Sequence, residues 1–378
     1  MPGARAPFRG QAPPANIDSS LMERVAGRTA FSVGAREYGW VDVVLAAHLW
    51  GEYANLERWT RAGIACQKRL RRLGQAVPED EVDEASDAWR YERDLLSADE
   101  AQEWLDERGL NAEEWVDYIE RTVLRQRWAS ELDKITKAES VTAREVSDAL
   151  YAEAVCSGAL GELGERLAAQ AAIYDRVAGS KGGRRPPGCS QAAVASLLKR
   201  LPATVKKTGV AGLTPGATSK RAELLACLAI VFERHIDEIA APAALDREIE
   251  AHALDWTRID CEQVLFADEG AAREVLLLIR EDGLPLSKAA GIAKAPVEKS
   301  SYVLDDVDPS IRLRLVGALP GQVIGPIAAG DGYYVVSIVD RSEPKRRDRR
   351  IRERARANVI ARGVQAEMGK RVRWHEPL

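Results

Sequence analysis

A chain of 378 residues is longer than one hydrophobic core ordinarily serves, so two or more domains are expected. Its 46% hydrophobic and 30% charged residues describe an ordinary globular composition, and a net charge of −4 favours no polyanionic partner. No apolar run approaches the ~18 residues of a membrane span, and five scattered cysteines without a CxxC pair argue against a disulfide framework.

Residues 1–20, rich in Pro, Gly, Ala and Arg without an apolar stretch, read as a disordered tail rather than a secretory signal, so a cytoplasmic protein is expected. From Val41 to about Leu73 apolar residues recur at helical spacing, and after Pro78 a second helix starts at Glu79. Three capping boxes then open helices: Ser97 with Glu100, Asn111 with Glu114, and Thr142 with Glu145. Short helices with Trp89, Trp104, Trp115 and Trp128 at helical spacing predict an all-α domain over 21–178; the tryptophans fit a core better than a peptide-binding surface. Residues 179–219 have linker composition, with loops at Gly179–Gly188 and Thr214–Ser219 around one short helix with Val194, Leu197 and Leu198. Connecting helices are expected over 220–256, broken at Pro242.

A β-containing segment follows over 257–343. Thr257–Phe266 reads as a strand, Asp268–Glu281 and Leu286–Ile292 as helices, and Tyr302–Leu304 with the helical turn Asp308–Leu315 as the lead into a hairpin. The hairpin pairs Gln322–Ile324 with Tyr333–Val339, punctuated by Gly325-Pro326 and reversed at Gly330-Asp331-Gly332. Residues 344–378 hold a basic helix with Ile351, Ala355, Val359, Ile360, Val364 and Met368 on one side. Charge is uneven: residues 79–120 carry seventeen Asp/Glu against three Arg, and residues 345–373 carry twelve Lys/Arg against three acids. The basic helix is expected to pair with those acidic helices; nucleic acid is the rival and less favoured partner.

The string from Leu319-Pro-Gly-Gln-Val-Ile-Gly-Pro to Gly332-Tyr-Tyr-Val-Val-Ser-Ile-Val-Asp-Arg341 resembles the close of a parvulin (PpiC-type) peptidyl-prolyl isomerase domain. The element order β-α-α-loop-α-β-β agrees with that family. The helical part resembles, more weakly, the N-terminal domain of SurA/PrsA-type chaperones. The resemblance implies an α+β fold: a helical chaperone-like domain completed by the C-terminal helix, with a small, mostly antiparallel parvulin-like sheet domain inserted near the end.

Parvulins carry a histidine on the first strand and another after the glycine-tyrosine of the last. Here Gln263-Val-Leu-Phe266 and Gly332-Tyr-Tyr334 stand in those places, so both imidazoles are missing. Alternation puts Cys261, Gln263 and Leu265 on one face of the first strand and Tyr334 with Val336 on one face of the last. Together with Leu315 these are the candidate peptide-binding residues. A Gln and a Tyr can hydrogen-bond a peptide carbonyl, whereas catalysis must act on a rotational barrier of ~18–20 kcal/mol. Cys261 has no basic neighbour in sequence to activate it and reads as a buried strand residue. His235 and His48 lack a second ligand at metal spacing. No phosphate loop, HExxH or GxSxG string occurs, and no cofactor or metal is indicated.

The resemblance extends to PpiC-type peptide maturation system proteins, which accompany ribosomally synthesised, modified peptides. It implies a peptide-binding accessory whose partners are a precursor or otherwise extended peptide and a peptide-modifying enzyme. Two readings stay open beside it: an enzyme, either a residual isomerase or a peptide-modifying activity reusing the cleft, and a scaffold without a groove.

Overall fold

The structure, a computed structural model, describes residues 21–179, 189–208, 210, 213–330 and 332–375. The expected tail 1–20, the glycine-rich loop at 180–188 and Asp331 of the hairpin turn lie outside them. The chain is mainly helical with two small antiparallel sheets, an α+β architecture. It divides into unit 1, Met1–His235 with Val364–Leu378, and unit 2, Ile236–Gly363.

Unit 1 is not all-α. Thr29–Val33 (β1) and Arg36–Gly39 (β2) form a hairpin closed by Gly34-Ala35, with Gly34 at φ 59°, the backbone that a two-residue reversal favours. The C-terminal strand Val372–Trp374 pairs antiparallel with β1, setting Trp374 opposite Phe31. Phe31 stacks on Tyr38 at 4.9 Å between ring centroids and meets the edge of Trp374 at 5.4 Å.

The predicted helix from Val41 to Leu73 is two helices, Trp40–Trp50 (α1) and Glu52–Arg72 (α2), parted at Gly51 with φ 85°. All three capping boxes form as their spacing predicts, the second opening Ala112–Arg127 (α3) and the third Ala143–Cys156 (α4). Trp89 and Trp115 are buried and Trp104 is partly so, with Trp89 meeting the edge of Trp104 at 5.0 Å. The Trp89 indole donates to the Cys156 carbonyl at 2.9 Å. Burying about 150–250 Å² per ring, at about 25 cal/mol per Å², contributes roughly 4–6 kcal/mol each before entropy is charged. These tryptophans are core.

Between α2, α3 and α4, Glu153 receives Arg121 at 3.2 Å and Arg125 at 2.7 Å, with all three side chains at most 3% exposed. Gly63 of α2 permits the approach, because a Cβ there would lie 2.6 Å from an Arg125 nitrogen. The helix expected to begin near Lys220 starts at Pro215, within the supposed loop, and runs to Ile239. Proline suits a first helical position, and the Thr214 hydroxyl accepts from Ala217 N at 3.3 Å.

Unit 2 is built on a four-stranded antiparallel sheet. Arg258–Phe266 (β3), Glu298–Val303 (β4), Val323–Ala329 (β5) and Gly332–Ser342 (β6) take the order β4-β3-β6-β5. The β4 strand stands where only a lead-in was expected; its Lys-Ser-Ser run hides the pattern. One face packs Val264, Phe266 and Val335 against the helix Glu269–Glu281 (α5) through Ala272, Val275 and Leu276. The other face gathers Ile259, Cys261, Val336 and Ile338 under Leu304 and under Leu315 of the helix Pro309–Val316 (α6). Thus β6 is buried on both faces, as its unbroken apolar run predicts.

The basic helix is Arg349–Arg371 (α7). Within unit 2 its Ile351, Ala355 and Val359 pack with Leu245, Ile249 and Trp256. Its guanidiniums have acidic partners within unit 2. Arg356 meets Asp237 at 2.8 Å, Arg362 meets Glu248 at 2.5 Å and Arg354 meets Asp306 at 2.5 Å. These acids come from three places: Asp237 near the end of the Pro215–Ile239 helix, Glu248 on the Pro242–Ala251 helix, and Asp306 just after β4. The far end of α7 belongs to unit 1, where Arg371 meets Asp175 at 2.6 Å. Among the described residues, no helix is long and apolar enough to cross a membrane.

Candidate functional site

On the α6 side of the sheet in unit 2 lies a cavity of about 280 Å³. Central strands β3 and β6 supply Gln263, Tyr334 and Val336, β5 supplies Ile327, and α6 supplies Ile311 and Leu315. Tyr302 of β4 lines it as well, and Asp306, Val307 and Asp308 form its remaining wall. Strand pairing sets Gln263 opposite Val336, and Tyr334 opposite Ile327 and Leu265. Four of the six residues picked from sequence, Gln263, Leu315, Tyr334 and Val336, therefore meet in one cavity.

Cys261 and Leu265 lie outside it. Cys261 is buried in the apolar cluster it shares with Ile259 and Ile338, and it edges a separate depression beside Val339. The pairing of β3 with β6 skips Val339 at this point, which opens that depression. Burial pushes the Cys261 thiol up to about 11, so it is no ready nucleophile. Leu265, next to the end of β3, is 40% exposed.

Sequence reasoning missed Tyr302, Ile311, Ile327, Asp306 and Asp308. The usable signal for Tyr302 was the Tyr-Val end of β4, whose register sets it opposite Ile259 and on that residue's face. Its hydroxyl donates to Gln263 Oε1 at 2.8 Å. Gln263 is only 9% exposed, and its carboxamide nitrogen has no partner among the described residues. The cavity thus presents an oriented N–H donor on an apolar wall. The Tyr334 hydroxyl also has no hydrogen-bond partner among the described residues.

The ionised groups sit at one side. Asp308 caps α6, its carboxylate accepting from Ser310 N at 2.9 Å and from the Ser310 hydroxyl at 2.5 Å. The Ser310 hydroxyl and then its amide hold the Asp308 carboxyl below the usual range. Asp306 pairs with Arg354. No imidazole lines the cavity; His252 stacks on Trp256 at 4.9 Å, between Glu248 and Asp255 at 3.3 Å each. Among the described residues, no group of three His, Cys, Asp or Glu is placed to hold a metal ion.

The arrangement can seat an apolar group and satisfy a carbonyl oxygen; it offers neither an activated nucleophile nor an imidazole. No protein-family model matches the chain, and no curated protein is significantly similar to it.

Proposed function

We propose that the chain is a peptide-binding accessory protein whose second unit is a parvulin-like domain that has lost its isomerase chemistry. The observation that carries this reading is the cavity: an apolar trough against the centre of a small twisted sheet, with one oriented amide donor. The order of helices and strands in unit 2 supports it, since the strand, two helices, short helix and closing hairpin follow the sequence expectation, with β4 added. An extended chain laid there would place an apolar side chain against Ile311, Leu315 and Val336 and a carbonyl against Gln263. The biological setting, maturation of a ribosomally synthesised peptide beside its modifying enzyme, rests on the sequence resemblance alone.

The absence of an imidazole from the cavity wall and the buried, unactivated Cys261 favour binding over catalysis. The test is a fluorescence-anisotropy titration of the full chain with a dye-labelled extended peptide, run beside a prolyl-isomerisation assay. Saturable binding without rate enhancement supports the proposal. No binding, or turnover by the wild type, overturns it. The double variant Gln263→His/Tyr334→His shows whether returning the imidazoles raises isomerisation.

A further inference from the structure

The cavity's charged residues have one sign, and that bears on which peptide it takes. Among the described residues its lining contains two acidic side chains, Asp306 and Asp308, and no Lys or Arg. Around them, three carboxylates share two guanidiniums: Arg312 bridges Asp255 and Asp305, and Arg354 bridges Asp305 and Asp306. Asp308 has no cation among its partners, only Ser310. Among the described residues, Asp308 is thus left without a counter-charge, and the lining itself carries no cation. Two further guanidiniums of the region, Arg314 and Arg341, donate to the backbone carbonyls of Pro326 and Val316 and do not line the cavity.

The second, independent observation is Gln263. It is buried but for 9% of its surface, it lines the cavity, and its Oε1 is held by Tyr302, which leaves the amide nitrogen to a ligand. An amide donor that faces the cavity without a protein partner is free to meet an incoming acceptor. The donor, the apolar wall and the excess negative charge together describe one ligand.

We propose that the cleft selects a peptide in which an apolar residue is flanked by lysine or arginine. The apolar side chain fills the cavity, its carbonyl accepts from the Gln263 amide, and the flanking cation meets Asp308 and Asp306. A peptide with glutamate in the flanking position meets like charge and is rejected. This inference rests on the peptide-binding reading and adds its specificity.

The experiment uses the full chain and three short dye-labelled peptides with a central leucine flanked by lysines, glutamines or glutamates. Each cation–carboxylate contact at such an exposed site is expected to tighten binding by up to about fivefold. The order is therefore lysine, then glutamine, then glutamate. Raising salt from low to physiological strength shortens the Debye length to ~8 Å, and it should erode the lysine peptide's advantage while leaving the glutamine peptide unchanged. The variant Asp306→Asn/Asp308→Asn keeps a capping side chain at the start of α6 and should bring the three peptides to equal affinity. The salt series on the wild type stands even if that variant is unstable. Equal or tighter binding of the glutamate peptide overturns the specificity and leaves the peptide-binding reading in place. Failure of all three peptides to bind overturns both.

Discussion

Replacing Gln263 by leucine separates the two tasks that the structure gives this residue. As acceptor, Gln263 takes the Tyr302 hydroxyl at 2.8 Å; as donor, it offers an amide nitrogen to the cavity. Tyr302 is only half-buried, so in Gln263→Leu its hydroxyl can turn to water. The stability cost is then that of one ordinary hydrogen bond, about 0.5–1.5 kcal/mol, partly offset because leucine suits a residue flanked by Cys261 and Val336. The binding cost is larger. A peptide carbonyl pressed against leucine is desolvated without a partner, at about 1–3 kcal/mol, which is roughly fivefold to a hundredfold in Kd. Tyr302→Phe leaves the donor and frees its orientation, so it should weaken binding by less, about twofold to tenfold. Thermal melts and anisotropy titrations of both variants measure the two costs separately. If Gln263→Leu binds an extended peptide as tightly as the wild type, the carbonyl does not sit at this amide and the geometric argument fails.

Three other outcomes follow from the same coordinates. Glu153→Ala leaves the Arg121 and Arg125 guanidiniums buried without their counter-charge, and should cost about 3–5 kcal/mol, or roughly 6–20 °C in the melting of unit 1; a shift under about 2 °C refutes the buried triad. His48 stacks on Tyr53 at 3.8 Å, and burial pushes it down to about 4, below its unfolded value of about 6.5. Its contribution, at most roughly 3 kcal/mol, is therefore present above pH ~6.5 and is lost as pH falls towards 4; His48→Phe should flatten that acid limb in melts recorded against pH. Gly325 adopts φ 148°, and a Cβ there would lie 2.8 Å from the Tyr334 carbonyl. Gly325→Ala should force β5 away from β6 at the cavity wall, costing about 1–3 kcal/mol and weakening peptide binding in the same titration.

What was legible in the sequence was what local chemistry dictates. Ser97, Asn111 and Thr142 each stand three residues before a Glu, and each capping box forms. The β6 strand declared itself because a run of aromatic and β-branched residues cannot be solvated on either face. The sheet of unit 1 stayed hidden for the opposite reason. Its strands are five, four and three residues long, and the third comes from Val372–Trp374, far from the first two in sequence. No periodicity within a window can report such a pairing. For the basic helix, net charge per segment says how many partners are needed, not which ones the fold brings near; within unit 2 these include Asp237, Glu248 and Asp306. The candidate site was read from alternation along β3 and β6, which found the cavity floor and overshot at Leu265. Of its roof on α6 Leu315 was named in advance, but Ile311 and the rim before that helix carry no signal until the chain has folded over the sheet.

On the proposed reading Gln263 stands where an isomerase would carry an imidazole, and that bears on what such a cleft can do. An imidazole near neutrality can donate or accept at one nitrogen and can change its charge, which suits a site that must follow a twisting imide. A carboxamide cannot titrate, and Tyr302 removes the remaining ambiguity by holding the oxygen. What is left points one way: a donor aimed into an apolar trough recognises a carbonyl and does nothing to it. Tyr334 likewise lines the cavity, with a hydroxyl that no described residue engages. A cavity so built gains from a ligand that stays put. The lock between Tyr302 and Gln263 is thus an argument for holding a chain, and it predicts that returning one imidazole alone at Gln263 breaks the lock before it restores any chemistry.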